Sequence, residues 1–261
     1  MSSYKGRHAD LYDIFYADKP YSRECRFVHD CIEAHQVHET RRLIDVACGT
    51  GSHALLLEKI GYEVLGTDHS EDMLAVARRK AKSSNSDVKF LNQDMTQLNL
   101  EGQEFQAAVC LFDSIGYVRT NNAIHRVFKG INRHLSDGSL FILEFWHAAA
   151  MLRYFEPVRV RRWTLPDRQI IRITETSLEC GEQLARVSYD IYELFGSGTF
   201  SNLKETQINR YFLIQEMELL LGVNGFQAIR WYAGYDSGSV VDQTTWHIVA
   251  VARKVSGERR S

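Results

Sequence analysis

Between residues 42 and 146, short apolar runs alternate with longer amphipathic ones. This rhythm predicts strands at 42–47, 63–67, 88–92, 106–112 and 139–146, with helices at 51–60, 70–83 and 120–135. Ser70 is a suitable N-cap for the second helix, and Glu71 and Asp72 follow in its first turn. A polar-aromatic segment, 4–21, and a helix at 22–38 precede this region. From about 157 the period becomes two, as in Val158-Arg159-Val160-Arg161-Arg162-Trp163, 170–174 and 185–192, which predicts antiparallel strands with one wet face. A helix at 214–223, ended by Gly225, leads to strands at 226–233 and 245–253 that return to the main sheet. The expected fold is α/β: a doubly wound, mostly parallel sheet with a small antiparallel β insert. The expected divisions are an N-terminal helical cover (1–38), a cofactor-binding core (39–150), the insert as substrate lobe (151–213), the return (214–255) and a polar tail (256–261).

Composition narrows the function classes. A net charge of −2 provides no basic field for nucleic acid, so a nucleic-acid partner is not expected. No apolar run reaches the length of a signal core or membrane span. Five cysteines without a Cys-x-x-Cys pair argue against a disulfide framework, and a reduced, cytoplasmic protein is expected.

Candidate chemistry concentrates where Leu43-Ile44-Asp45-Val46-Ala47-Cys48-Gly49-Thr50-Gly51 turns from strand into glycine loop. Glycine lets a ligand approach the backbone closely, and Asp45 lies four residues before the first glycine. Asp45, Asp68 and Asp94 stand at the ends of the first three strands, which line one crevice in a doubly wound sheet. Asp68, 19 residues beyond Gly49, suits the two hydroxyls of a ribose. Asp94 suits the exocyclic amine of a base, with Met95 beside the ring and Leu111-Phe112 over its other face. The run from Gly49 to Ala54 also fits a loose dinucleotide fingerprint, but Asp45 would repel the pyrophosphate such a ligand brings there. S-Adenosyl-L-methionine carries a sulfonium and an ammonium and no phosphate. It is therefore the expected cofactor, held against Asp45 and the backbone of Ala47, Cys48, Gly49 and Gly51. His53 and His69 flank these motifs.

Taken together, Asp45-Val46-Ala47-Cys48-Gly49-Thr50-Gly51, Gly66-Thr67-Asp68, Ser70-x-x-Met73-Leu74 and Gln93-Asp94-Met95 resemble the successive motifs of class I S-adenosylmethionine-dependent methyltransferases, with their Rossmann-like fold. Tyr4 with Leu11-Tyr12, Phe112-x-Ser114-Ile115-Gly116 and Glu144-x-Trp146 resemble the N-methyltransferases of nucleotide-linked aminosugars. That resemblance implies an N-terminal segment folded over the cofactor, with a tyrosine close to the reacting amine. It departs at Tyr117, where those enzymes commonly carry a histidine. Tyr4, Tyr117 and Glu144 are the expected catalytic groups around a small-molecule acceptor, and Tyr12, Tyr16 and Tyr21 belong to the cover, next to the cofactor. The arginines at 159, 161, 162, 172, 186, 210 and 230 could include a clamp for a diphosphate, which a guanidinium suits, and Trp146, Arg186 and Arg210 are the candidates for substrate contact.

The same residues leave open an O- or N-methyltransferase of another metabolite, or a non-catalytic S-adenosylmethionine-binding protein. A homodimer is also left open. His29, Cys31, His35 and His38 look metal-like, but no second pair with ligand spacing supports them, and no metal is expected.

Overall fold

The computed structural model describes residues 6–255, so Tyr4 and the tail expected at 256–261 lie outside the described residues. The alternating runs become β1 (Arg42–Val46), α3 (Ser52–Ile60), β2 (Glu63–Asp68), α4 (Glu71–Ser84), β3 (Lys89–Asn92), β4 (Phe105–Cys110), α5 (Asn121–Arg133) and β5 (Leu135–Trp146). They follow α1 (Arg7–Phe15) and α2 (Tyr21–His35). The chain continues through α6 (Ala148–Tyr154), β6 (Val158–Thr164), β7 (Arg168–Glu179), β8 (Leu184–Phe195) and β9 (Phe200–Arg210). It closes with α7 (Ile214–Gly222), β10 (Phe226–Ala233) and β11 (His247–Lys254).

The main sheet has seven strands in the order β10-β11-β5-β4-β1-β2-β3. The pairs among β1 to β5 are parallel, and β11 runs antiparallel between β5 and β10. Both sheet faces are buried. Ile44, Phe141 and Phe145 join one apolar cluster with α5 and α7, while Leu43, Ile142 and Val249 join another with α2, α3 and α4. Covered on both sides, the strands read as continuous apolar runs, which is why their pattern was legible. Ser70 caps α4 by accepting from the Met73 amide at 3.4 Å. No helix among the described residues is long and apolar enough to cross a membrane.

Strands β6 to β9 form a separate antiparallel sheet in sequential order. Its inner face carries Arg159, Arg172, Tyr189 and Gln207 in alternation with outward residues. Strand β9 went unread because its inward positions include Glu205, Gln207 and Asn209, which break the apolar alternation. Gln207 and Asn209 line a cavity instead of a core, and Glu205 pairs with His8 of α1 at 2.5 Å.

Helix α1 falls in the stretch whose sequence shows only a polar-aromatic character. Nine residues are too few for a stable isolated helix. Burial holds it: Leu11 and Phe15 pack on Ile170 and Ile191 of the small sheet, and Ala9 and Tyr12 pack on Met73 of α4. Polar ties run the same two ways. Arg7 lies 2.6 Å from Glu193 of the small sheet, and Lys80 of α4 lies 3.0 Å from Asp13. The helix thereby bridges core and insert.

Candidate active site

The carboxyl ends of β1, β2 and β4 open into a cavity of about 1460 Å³, which is also lined by α1 and the small sheet. Asp45 sits at its inner end, 2% exposed, and its Oδ2 has no hydrogen-bond partner among the described residues. Burial and the neighbouring Asp68 push its pKa up to about 8, against the lowering effect of the Ala54 amide. Asp68 accepts from the amides of Gly49 at 2.9 Å and Ser70 at 2.8 Å, yet burial still raises its pKa. An orphaned carboxylate oxygen beside a second acid is a seat for a cation, and a pyrophosphate would worsen the same field.

Backbone shape fits a close ligand. Gly49 and Gly51 have φ of 56° and 74°, values that favour glycine. Their roles differ: Gly49 lines the cavity, whereas Gly51 lies behind it, where a Cβ would come within 2.7 Å of the Phe90 ring. Asp94 turns one oxygen back onto the Thr96 amide and hydroxyl, both at 2.8 Å, and stands beside Met95. Opposite, Tyr16 sits edge-on to Phe112 at 4.9 Å and against Tyr12 at 4.8 Å. Lys19 lies 4.3 Å over the Phe112 ring and pairs with Glu24, whose Oε2 is 2.7 Å from His53 Nε2.

The second end of the cavity is organised by the turn after β4. Phe112 and Asp113 both have φ of 56°, a costly conformation for two successive residues with side chains. Two buried acids clamp it. Phe112 N–H donates to Glu144 at 2.6 Å, and Asp113 accepts from Trp146 N–H at 3.0 Å and Asn209 Nδ2 at 2.9 Å. The Asn209 bond ties the core turn to the small sheet. Burial pushes the Asp113 carboxyl well above its usual range, although Trp146, Asn209 and His247 pull it down.

Glu144 was expected at the acceptor, and the structure corrects that placement. It is 2% exposed and does not line the cavity. Besides Phe112, its oxygens accept from Tyr235 OH at 2.6 Å and face His247 Nδ1 at 2.7 Å. Burial raises its pKa, but His247, Lys19 and Tyr235 outweigh burial and hold it at about 2. Its carboxylate props the turn and orients His247. The His247 imidazole itself lines the cavity and is 41% exposed. Burial lowers its pKa and the Glu144 carboxylate more than restores it, for a net rise.

The cavity brings together most of the expected residues: Tyr12, Tyr16 and Tyr21 from the cover, Asp45, Ala47, Cys48 and Gly49 from the first turn, and Asp68, His69, Met73, Asp94 and Met95 along the strand ends. Leu111, Phe112, Ser114, Tyr117 and Trp146 complete the far side, with the Tyr117 hydroxyl donating to Gln207 at 2.9 Å. Arg210 is a second correction: it is off the cavity, 6% exposed, and pairs with Glu216 at 2.5 Å at the start of α7. Arg186 touches the cavity but is exposed and pairs with Glu179 at 2.9 Å. His29 and His35 turn to separate tyrosines, Tyr62 at 2.8 Å and Tyr232 at 3.5 Å. Sequence reasoning missed Asp113 and His247. Asp113 had a signal, being an acid at a strand end, whereas His247 reaches the cavity from a strand more than a hundred residues away, with no motif around it.

Residues 43–138 match a family model described as a methyltransferase domain. The dTDP-3-amino-3,4,6-trideoxy-alpha-D-glucopyranose N,N-dimethyltransferase of Streptomyces venezuelae is 31% identical over 73% of this chain and 72% of its own length. The chain belongs to the class I S-adenosylmethionine-dependent methyltransferases. This methyltransferase shares its fold with an S-adenosylmethionine-dependent methyltransferase from Clostridium acetobutylicum, at a TM-score of 0.81, 22% identity and coverage of 95% and 98% of the two chains. It also shares it with Streptomyces venezuelae DesVI, at a TM-score of 0.78, 24% identity and coverage of 95% and 99%. The methyltransferase uses S-adenosylmethionine as its cofactor, and the orphaned Asp45 oxygen fits that cation-bearing nucleoside.

Proposed function

We propose that this methyltransferase methylates the amine of a nucleotide-linked aminosugar. The observation that carries the reading is one continuous cavity, of about 1460 Å³, lined both by the strand-end acids and by Asp113, Tyr117, Trp146 and His247. Pockets for single small ligands occupy roughly 300–1,000 Å³, so there is room for donor and acceptor together. The named activity of the Streptomyces venezuelae relative supports an aminosugar as that acceptor.

In this reading Asp45 would hold the cationic methionyl end of the donor, Asp68 its ribose, and Asp94 with Met95 its base. S-Adenosylmethionine supplies an electrophilic methyl group on a sulfonium. Transfer to nitrogen is an in-line displacement, so alignment and water exclusion account for most of the catalysis. The amine must lose a proton, and His247 is the base: Glu144 faces Nδ1, which leaves Nε2 as the nitrogen that takes the proton. Tyr117, anchored on Gln207, orients the acceptor. Methyl transfer to a panel of amino- and hydroxy-sugar nucleotides and free amines, read as S-adenosylhomocysteine release and product mass, tests the proposal. Turnover of the amino-sugar nucleotides alone is expected; turnover only of hydroxyl or non-sugar acceptors would overturn it.

A further inference from the structure

On the inner face of the small sheet, Arg172 is 7% exposed and lines the cavity, yet none of the described residues gives it a carboxylate or a hydrogen-bond acceptor, and its Nε is buried without a partner. What surrounds it is aromatic: its guanidinium carbon lies 4.7 Å from the ring centre of Phe15, 5.1 Å from Trp163 and 5.3 Å from Tyr189. Ring faces attract a guanidinium but do not replace the hydration an ion loses on burial, so the cage offsets only part of the cost. A second cation adds to it. Arg161 stands directly opposite Arg172 in the β6–β7 register, and like charges in facing positions repel. One pleat further on, Arg159 faces Thr174 but is paired with Glu156 at 2.7 Å, so the uncompensated charge is that of Arg172 and Arg161, which line the cavity together with Thr174 and Thr176.

An anion in front of this face removes both penalties. We infer that Arg172 and Arg161, with the hydroxyls of Thr174 and Thr176, form the seat for the diphosphate of the acceptor, an inference that rests on the nucleotide-linked reading above. Paired guanidinium forks match phosphate oxygens, and hydroxyls supply the remaining donors. Among the described residues Arg172 and Arg161 have no carboxylate partner, whereas Arg159, Arg186 and Arg210 are committed to Glu156, Glu179 and Glu216.

The test is calorimetric titration of inorganic pyrophosphate, and of uridine diphosphate, into the full chain saturated with S-adenosylhomocysteine. Both are expected to bind, with affinity reduced at least tenfold by Arg161→Gln, whose exposed side chain does not support the fold, and by Arg172→Lys. Arg162→Gln, on the opposite face, is expected to leave binding unchanged. Absence of binding, or equal weakening by Arg161→Gln and Arg162→Gln, overturns the inference. Pyrophosphate binding that depends on Arg161 while no sugar amine is methylated upholds the seat and sinks the aminosugar reading. Conversely, a phosphate-free aminosugar methylated as efficiently as its nucleotide, in wild type and Arg161→Gln alike, sinks the seat and upholds amine methylation.

Discussion

Replacing Asp45 with asparagine should stabilise the ligand-free protein while weakening its hold on the donor. Asp45 ionises near 3.8 in an open chain and at about 8 in the ligand-free fold, because burial and Asp68 disfavour its charge. Between those values the folded chain binds the extra proton, so its stability falls as pH rises through the window. At 1.36 kcal/mol per unit, the penalty reaches on the order of 4 kcal/mol by pH 7. Asparagine keeps the shape and removes the penalty. For a chain of this size each kcal/mol is worth about 2–4 °C, so a gain on the order of 10 °C in Tm is expected at pH 8, shrinking toward pH 4. The donor's cation needs the ionised form, so binding should expel a proton. Titration calorimetry with S-adenosylhomocysteine, in two buffers of different ionisation heat, reads that proton directly. A ligand-free Asp45→Asn protein less stable than wild type at pH 8, or proton release unchanged by the substitution, would refute the reasoning.

Three further outcomes follow from the same geometry. Asp68→Ala removes the acceptor for the Gly49 and Ser70 amides as well as the proposed ribose contact, and should weaken S-adenosylhomocysteine at least 100-fold; unaltered affinity would exclude the ribose role. Glu144 is held at about 2 against an ordinary 4.5, so its contribution of about 3 kcal/mol should be present above pH 4.5 and vanish as pH falls toward 2. Glu144→Gln should flatten that acid limb in chemical unfolding experiments. His247→Gln should lower kcat by about 10²–10³ and abolish the acidic limb of the pH–rate profile, with KM for the donor little changed; an intact limb would remove His247 as the base.

The doubly wound core was legible because parallel strands covered on both faces write themselves as apolar runs, and Ser70 and the glycines punctuate them. The position of the strand-end acids was legible for a related reason: in this topology position along a strand decides which residues reach the crevice, and Asp45, Asp68 and Asp94 all line the cavity. Glu144 shows where that logic stops. It ends a central strand too, but its carboxylate meets the Phe112 amide, Tyr235 and His247, three groups far apart in the chain, and is sealed behind the turn. Arg210 and Arg172 make the same point in opposite directions, since both are buried arginines of the small sheet and only one finds a carboxylate. Sequence alone determined the class of donor, because strand, turn and acid are local features. Only the tertiary structure decided which distant side chains share the acceptor's end of the cavity, because partners that neutralise, orient or exclude a charge are chosen by packing, not by neighbourhood along the chain.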